Sequence, residues 1–197
     1  MEPFVTHTGT AVPLRRSDVD TDQIIPSDWL KQVERTGFEK GLFSEWRDDP
    51  SFVLNQQDHA GATILVAGPN FGTGSSREHA VWAIQQYGFQ AVISPRFGDI
   101  FRNNATKAGL VPVVVPPEVG AALLRAVEAD PDLEVVVDVE RRVVSAPAAD
   151  IECEFPLDDF TRHRLLEGLD DVGLTLRRVD HIDAHEARRP DWHPTTA

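Results

Sequence analysis

Apolar and polar positions change rhythm twice along this chain of 197 residues. The regular part begins near residue 62. Thr63-Ile64-Leu65-Val66-Ala67 is a short continuous apolar run, which predicts a buried strand over 62–67. A helix over about 76–87 follows on Val81, Trp82, Ala83 and Ile84, and then a strand at Ala91-Val92-Ile93. A second helix over about 97–108 carries Phe97, Ile100, Phe101 and Ala105 at helical spacing, ahead of a strand at Leu110–Val115. A third helix over about 118–129 puts Val119, Leu123, Leu124 and Val127 on one face, with Pro131 beyond it. This alternation predicts an α/β fold with parallel strands joined by helical crossovers. Ligands of such sheets sit outside the carboxyl ends of the strands.

The period then shortens to two. Leu133–Val139, Arg142-Val143-Val144 and Ile151–Phe155 alternate and predict additional antiparallel strands. Leu165, Leu166 and Leu169 mark a short helix, and Val172, Leu176, Val179 and Ile182 mark one last helix. Together they form a C-terminal helical extension, and the tail over 184–197 has no periodicity. At the other end, residues 4–12 have strand character closed by Pro13, and Arg15 to Pro26 reads as a polar loop ending in a short apolar strand. Residues 27–61 are the least regular, with Trp29, Phe38, Phe43, Trp46 and Phe52 scattered among charges. They predict a long surface excursion pinned by aromatic anchors, a type of segment that often binds or covers a ligand. No linker interrupts the chain, so one α/β domain over 1–197 is expected.

Composition narrows the function. The net charge of −13 disfavours a nucleic-acid partner, which requires a basic face. No apolar run reaches the length of a membrane span, and the acidic start Met1-Glu2-Pro3-Phe4 has no signal core. A cytoplasmic location is expected, and the single Cys153 fits a reducing compartment. One cysteine also rules out assembling a cysteine-held zinc or iron–sulfur centre from this chain alone. Asp18, Asp20 and Asp22 alternate like the opening of a calcium loop, but Gln23 and Trp29 stand where that loop needs Gly and Glu.

The candidate chemistry gathers in Gly68-Pro69-Asn70-Phe71-Gly72-Thr73-Gly74-Ser75-Ser76-Arg77-Glu78-His79-Ala80, between a strand and a helix. A helix N-terminus there offers N–H groups and a positive dipole end to an anion. Arg77 stands where a dinucleotide fingerprint needs its last glycine, no lysine makes a phosphate loop, and Glu78 spoils a nucleophile elbow. Ser75-Ser76-Arg77-Glu78 also fits a capping box, in which Ser75 is structural. A cap leaves Arg77 unexplained, because a cation in the first helical turn opposes the dipole unless an anion lies beside it.

Phe71 to Ala80 resembles the signature of the aconitase swivelling-domain family, and Asp20-Thr21-Asp22-Gln23-Ile24-Ile25-Pro26 looks like its Thr-Asp segment. Thr36-Gly37-Phe38, Arg96-Phe97-Gly98-Asp99-Ile100-Phe101-Arg102-Asn103-Asn104 and Leu165 to Asp171 resemble, more narrowly, the bacterial 3-isopropylmalate dehydratase small-subunit family. Asp18 departs from the family, which usually has Asn there. The resemblance implies a swivelling-domain fold and a hydro-lyase of leucine synthesis that works through isopropylmaleate. It also implies a separate large subunit holding a [4Fe–4S] cluster. Removing hydroxide from a saturated acid needs a Lewis acid, and this chain has no evident site for one.

Carried over residue by residue, the resemblance makes Ser75 the base, with Arg77 and Ser76 holding a substrate carboxylate and Asp22 orienting the serine. Thr21 and Gly74 belong to the same binding segments. In Trp29-Leu30-Lys31-Gln32-Val33, Val33 replaces an arginine of aconitase itself, which suits an isopropyl group better than a third carboxylate. A hydro-lyase for citramalate, methylmaleate or homoaconitate, and a subunit that only closes the cleft, remain as alternatives.

Overall fold

The computed structural model describes residues 1–31, 34–74, 77–190 and 192. The chain opens with strands β1 (Thr6–Gly9) and β2 (Ala11–Leu14), then two single helical turns, α1 (Thr21–Ile24) and α2 (Ser44–Arg47). β3 (Ile64–Ala67), α3 (Glu78–Tyr87), β4 (Ala91–Ser94), α4 (Asp99–Ala108), β5 (Val111–Val114) and α5 (Pro117–Ala129) alternate after them. β6 (Val135–Asp138), β7 (Val143–Ala146) and β8 (Ile151–Glu154) follow, and α6 (Asp159–Glu167), α7 (Asp171–Leu176) and α8 (Val179–Glu186) end the order.

Two sheets result among the described residues. The parallel sheet runs β2-β3-β4-β5 and the antiparallel sheet β1-β6-β7-β8. Alternate residues of β3 serve two cores. Leu65 and Ala67 join Phe38, Phe43, Phe71, Ile84 and Phe101 on one face, while Ile64 and Val66 join Leu123, Val135, Val137 and Val144 on the other. Helix α5 lies on that second face, between the sheets, where Leu123 and Val127 are fully buried. Burial on both faces explains why β3 is apolar throughout and why β4 is apolar up to the buried Ser94 at its end, without alternation.

Three expectations change. Residues 4–12 are not one strand closed by Pro13: the chain passes from β1 in one sheet to β2 in the other, and Pro13 lies inside β2. β2 is an edge strand, where a residue without an N–H is tolerated. Ile24 and Ile25 are fully buried but form no strand. Asp20 caps α1 instead, accepting from the Gln23 N–H at 2.8 Å while the Gln23 side chain accepts from the Asp20 N–H at 3.0 Å. The last apolar series forms two helices, not one, and leaves Val172 and Leu176 more than half exposed, because no element of the described chain covers that face. No described helix is long and apolar enough to cross a membrane.

Candidate active site at the carboxyl ends of the parallel strands

Three loops leave the carboxyl ends of β2, β3 and β4 and are fastened to one another by backbone. Asp20 bridges to Thr73 and Phe71 bridges to Phe97, both in parallel register. The Gly72 and Thr73 N–H groups donate to Val19 O at 2.7 and 3.1 Å, and the Thr21 N–H donates to Thr73 O at 3.0 Å. The sheet is thus prolonged beyond its named strands, and polar loops are held in register by the ladder beneath them.

Glycine is required at the points of closest approach. Gly72 has φ +73, and a Cβ there would lie 2.6 Å from Phe101 Cβ, inside the aromatic cluster of Phe71, Phe97 and Phe101. A Cβ on Gly98 would collide with the Gly72 carbonyl oxygen. Gly74 has φ +86 and sits over Asp20 and Thr21, so it shapes the wall of the site.

Arg77 and Asp22 meet. The Arg77 guanidinium hydrogen-bonds and ion-pairs with the Asp22 carboxylate, with side chains 21% and 56% exposed. The two lie 55 residues apart, on different loops. Arg77 is not in the first helical turn: it is the N-cap residue of α3, in extended backbone at φ −84 and ψ 106, with no capping bond from its side chain. The expected capping register is therefore not formed, since it needs the helix to start before Glu78. The chain itself thus supplies an anion beside Arg77. Five guanidinium donors leave Arg77 able to hold a second carboxylate while paired. Thr21 is buried to 1% exposure. Ser75, Ser76 and Val33 lie outside the described residues.

The three alternate aspartates have three separate partners. Asp18 accepts from Asn70 Nδ2 at 2.6 Å, Asp20 caps α1, and Asp22 holds Arg77. Asp18 and Asn70 both have positive φ, a conformation in which Asp and Asn are enriched. An acceptor at residue 18 thus finds its donor on the opposite loop. Among the described residues no three His, Cys, Asp or Glu side chains gather as a metal-binding group. Cys153 is on β8 in the other sheet, and burial first, then Glu118 and Glu154, raise its thiol pKa. The donor set of this chain does not fit an iron–sulfur cluster.

The aromatic excursion is anchored as expected. Phe38, Phe43 and Phe52 are buried, Trp46 stacks on Phe43 at 5.2 Å, and the Arg16 guanidinium lies 4.1 Å above Trp46. Beyond those aromatics lies an anchor that sequence reasoning missed. Gln86 on α3 accepts from the Phe38 N–H at 2.9 Å and donates to Arg35 O at 2.8 Å. Phe38 also packs on His79 and Trp82 of the same helix face. The spacing of His79, Trp82 and Gln86 is the signal that could have found it. The helix that Arg77 precedes therefore also grips the segment around Arg35 and Phe38.

Known proteins resemble this chain in sequence and in fold. The Aconitase C-terminal domain family model matches residues 1–118, and a model for the C-terminal domain of the 3-isopropylmalate dehydratase small subunit matches residues 171–197. A 3-isopropylmalate dehydratase small subunit from Parafrankia sp. strain EAN1pec is 68% identical over 197 residues, covering 100% of both chains. That of Acidothermus cellulolyticus is 66% identical over 196 residues, covering 100% of this chain and 98% of the relative. The crystal structure of a 3-isopropylmalate dehydratase from Methanocaldococcus jannaschii superposes with a TM-score of 0.64 at 27% identity, covering 92% of this chain and 99% of that one. With the aconitase-type turn at the carboxyl ends of its parallel strands, the chain belongs to the family of 3-isopropylmalate dehydratase small subunits.

Proposed function

We propose that the chain is the small subunit of a hydro-lyase that interconverts 2-isopropylmalate and 3-isopropylmalate through isopropylmaleate, in a site that a large subunit completes. The observation that carries this reading is the Arg77–Asp22 pair beside Gly74, in a chain 68% identical to a small subunit of that name. Dehydration removes a proton from one carbon and hydroxide from its neighbour. A [4Fe–4S] cluster on the large subunit, when bound, supplies the Lewis acid for the hydroxide.

This chain supplies the other half. Arg77, held in place by Asp22, binds a substrate carboxylate through paired N–H donors, and Ser76 adds a hydroxyl to the same group. Ser75 takes the proton, and its alkoxide is stabilised by the guanidinium and by the N-terminus of α3. Gly74 brings backbone close to the substrate, and the buried Thr21 keeps the Asp22 loop on the glycine turn. Val33, in place of an arginine of aconitase itself, suits an isopropyl group and supplies no cation for a third carboxylate. Reconstitution of Ser75→Ala with the large subunit tests the assignment. The complex is expected to assemble normally while turnover falls by about 10²–10⁴-fold. Turnover near wild type would remove Ser75 as the base and leave the chain a cleft-closing role.

A further inference from the structure

One turn of the aromatic excursion is closed from outside itself. Arg35, Thr36, Gly37 and Phe38 follow soon after Val33, and Gly37, at φ 92 and ψ 6, has the backbone of the third residue of a type II turn. Such a turn is often tied by a bond from its fourth N–H to its first carbonyl. Here the Phe38 N–H donates instead to Gln86 Oε1 at 2.9 Å, and Gln86 Nε2 donates to Arg35 O at 2.8 Å. A single side-chain amide stands in the mouth of the turn and satisfies both of its ends.

The same face of α3 holds the turn by its side chains. Phe38 meets the rings of His79 and Trp82 at 5.2 and 5.7 Å, and the Arg35 guanidinium lies 5.5 Å from the Trp82 ring. On the other side of Val33 in sequence, Trp29 lies so close to Gly41 that a Cβ there would stand 2.7 Å from the indole. Gly41 ends the single helical turn that Phe38 begins. Both flanks of Val33 are therefore fastened to one unit, and Gln86 is the polar tie between that unit and α3. Gln86 is exposed, and water would satisfy its amide, so the two bonds serve the turn and not the helix.

We propose that Gln86 is a positioning residue for substrate selection. By closing the Arg35–Phe38 turn onto the helix that Arg77 precedes, it sets how well the complex tells an isopropyl substituent from a smaller one. The inference rests on the assignment of Val33 to the isopropyl group. Apolar pockets discriminate by only about 10–200-fold per methylene, and they do so only while their walls stay in place. A wall tied to the helix that starts beside Arg77 keeps its register with the cation that holds the carboxylate.

The test uses the complex reconstituted with the cluster-loaded large subunit under anaerobic conditions. Isopropylmalate turnover is measured alone and against citramalate, which carries a methyl group in place of isopropyl, as competitor. Gln86→Met keeps the length and helix propensity of the side chain and removes both bonds. The released N–H and carbonyl can then tie to each other, so the melting temperature of the free chain should stay close to wild type. The KM for isopropylmalate is expected to rise about tenfold at nearly unchanged kcat, and the inhibition constant of citramalate only about twofold. Gln86→Glu, which keeps the acceptor for Phe38 and loses the donor to Arg35, should fall between. Preference is a ratio within one preparation, so a partly unfolded variant does not mimic the shift. Equal weakening for the two acids, as a merely structural anchor would give, overturns the inference, and so does a wild-type preference. Val33→Arg in the same assay separates the two claims. If it spares isopropylmalate turnover, the Val33 assignment falls and the inference with it. If it abolishes that turnover while Gln86→Met keeps the wild-type preference, only the positioning role of Gln86 falls.

Discussion

The two sheets are built from strands of equal length and do opposite work. In the parallel sheet β3 and β4 are buried at every position, and the loops at the carboxyl ends of β2, β3 and β4 hold Asp22, the glycine turn and Arg96. In the antiparallel sheet β6 and β8 alternate between more and less buried residues, and their connections carry none of the proposed chemistry. Packing on both faces gives the parallel strands a fixed frame, and that frame lets the loops above it take polar and left-handed conformations. The antiparallel sheet covers one face of that frame through α5 and closes the second core. Chemistry and stability are thereby assigned to different ends of the molecule.

Arg77→Ala is the sharpest way to break this division. The loss of one preorganised cation at the site is expected to lower kcat/KM about 10²–10³-fold, equivalent to about 3–4 kcal/mol. The melting temperature should barely move, since the pair is partly solvated and contributes little to folding. Steady-state assay of the reconstituted complex, beside thermal unfolding of the free chain, checks both halves. A large fall in melting temperature would mean that the ion pair belongs to the frame. Gly72→Ala probes the frame directly. The added methyl meets the Phe101 side chain at a positive φ, so a destabilisation of about 2–4 kcal/mol is expected in denaturant unfolding. A variant as stable as wild type would show that the turn yields easily and that the aromatic cluster does not fix it.

Much of the frame was legible in the sequence because it is local. The β3, α4 and α5 runs carry their period within a dozen residues, and the structure places them within two residues of expectation. What failed depended on distant partners. Nothing near Thr10 announces that the chain changes sheets there, because the pairing of β1 is with β6 far along the chain. The start of α3 was placed too early because Ser75 and Glu78 have capping-box spacing, whereas Arg77 is drawn into extended backbone and toward Asp22. Resemblance brought Asp22 and Arg77 to one site, but not into contact with each other. Gln86 was overlooked because a glutamine in a helix usually faces water, and here it spans two backbone groups of a neighbouring turn.

The smallest expected effect lies on the antiparallel side and is read in pH. His7 on β1 is within 2.7 Å of Thr63 Oγ1, immediately before β3, so it joins the two sheets at the edge opposite the candidate site. Burial lowers its pKa below the ordinary 6.5. The unfolded chain therefore takes up the His7 proton before the folded one does. The neutral ring's contribution to stability is fully present above about pH 6.5 and falls as pH drops toward the lowered value. One such group cannot change stability by more than about 1.4 kcal/mol per pH unit. Denaturant unfolding from about pH 8 to about pH 5 should show this slope in wild type and a flatter profile in His7→Gln, where residue 7 no longer titrates. Turnover of the reconstituted complex should be the same for both at neutral pH, because His7 touches only the frame. If His7→Gln keeps the full acid sensitivity, the junction between the sheets is not where the proton acts. A loss of turnover with unchanged stability would be the more serious result, since it would couple the antiparallel sheet to the site.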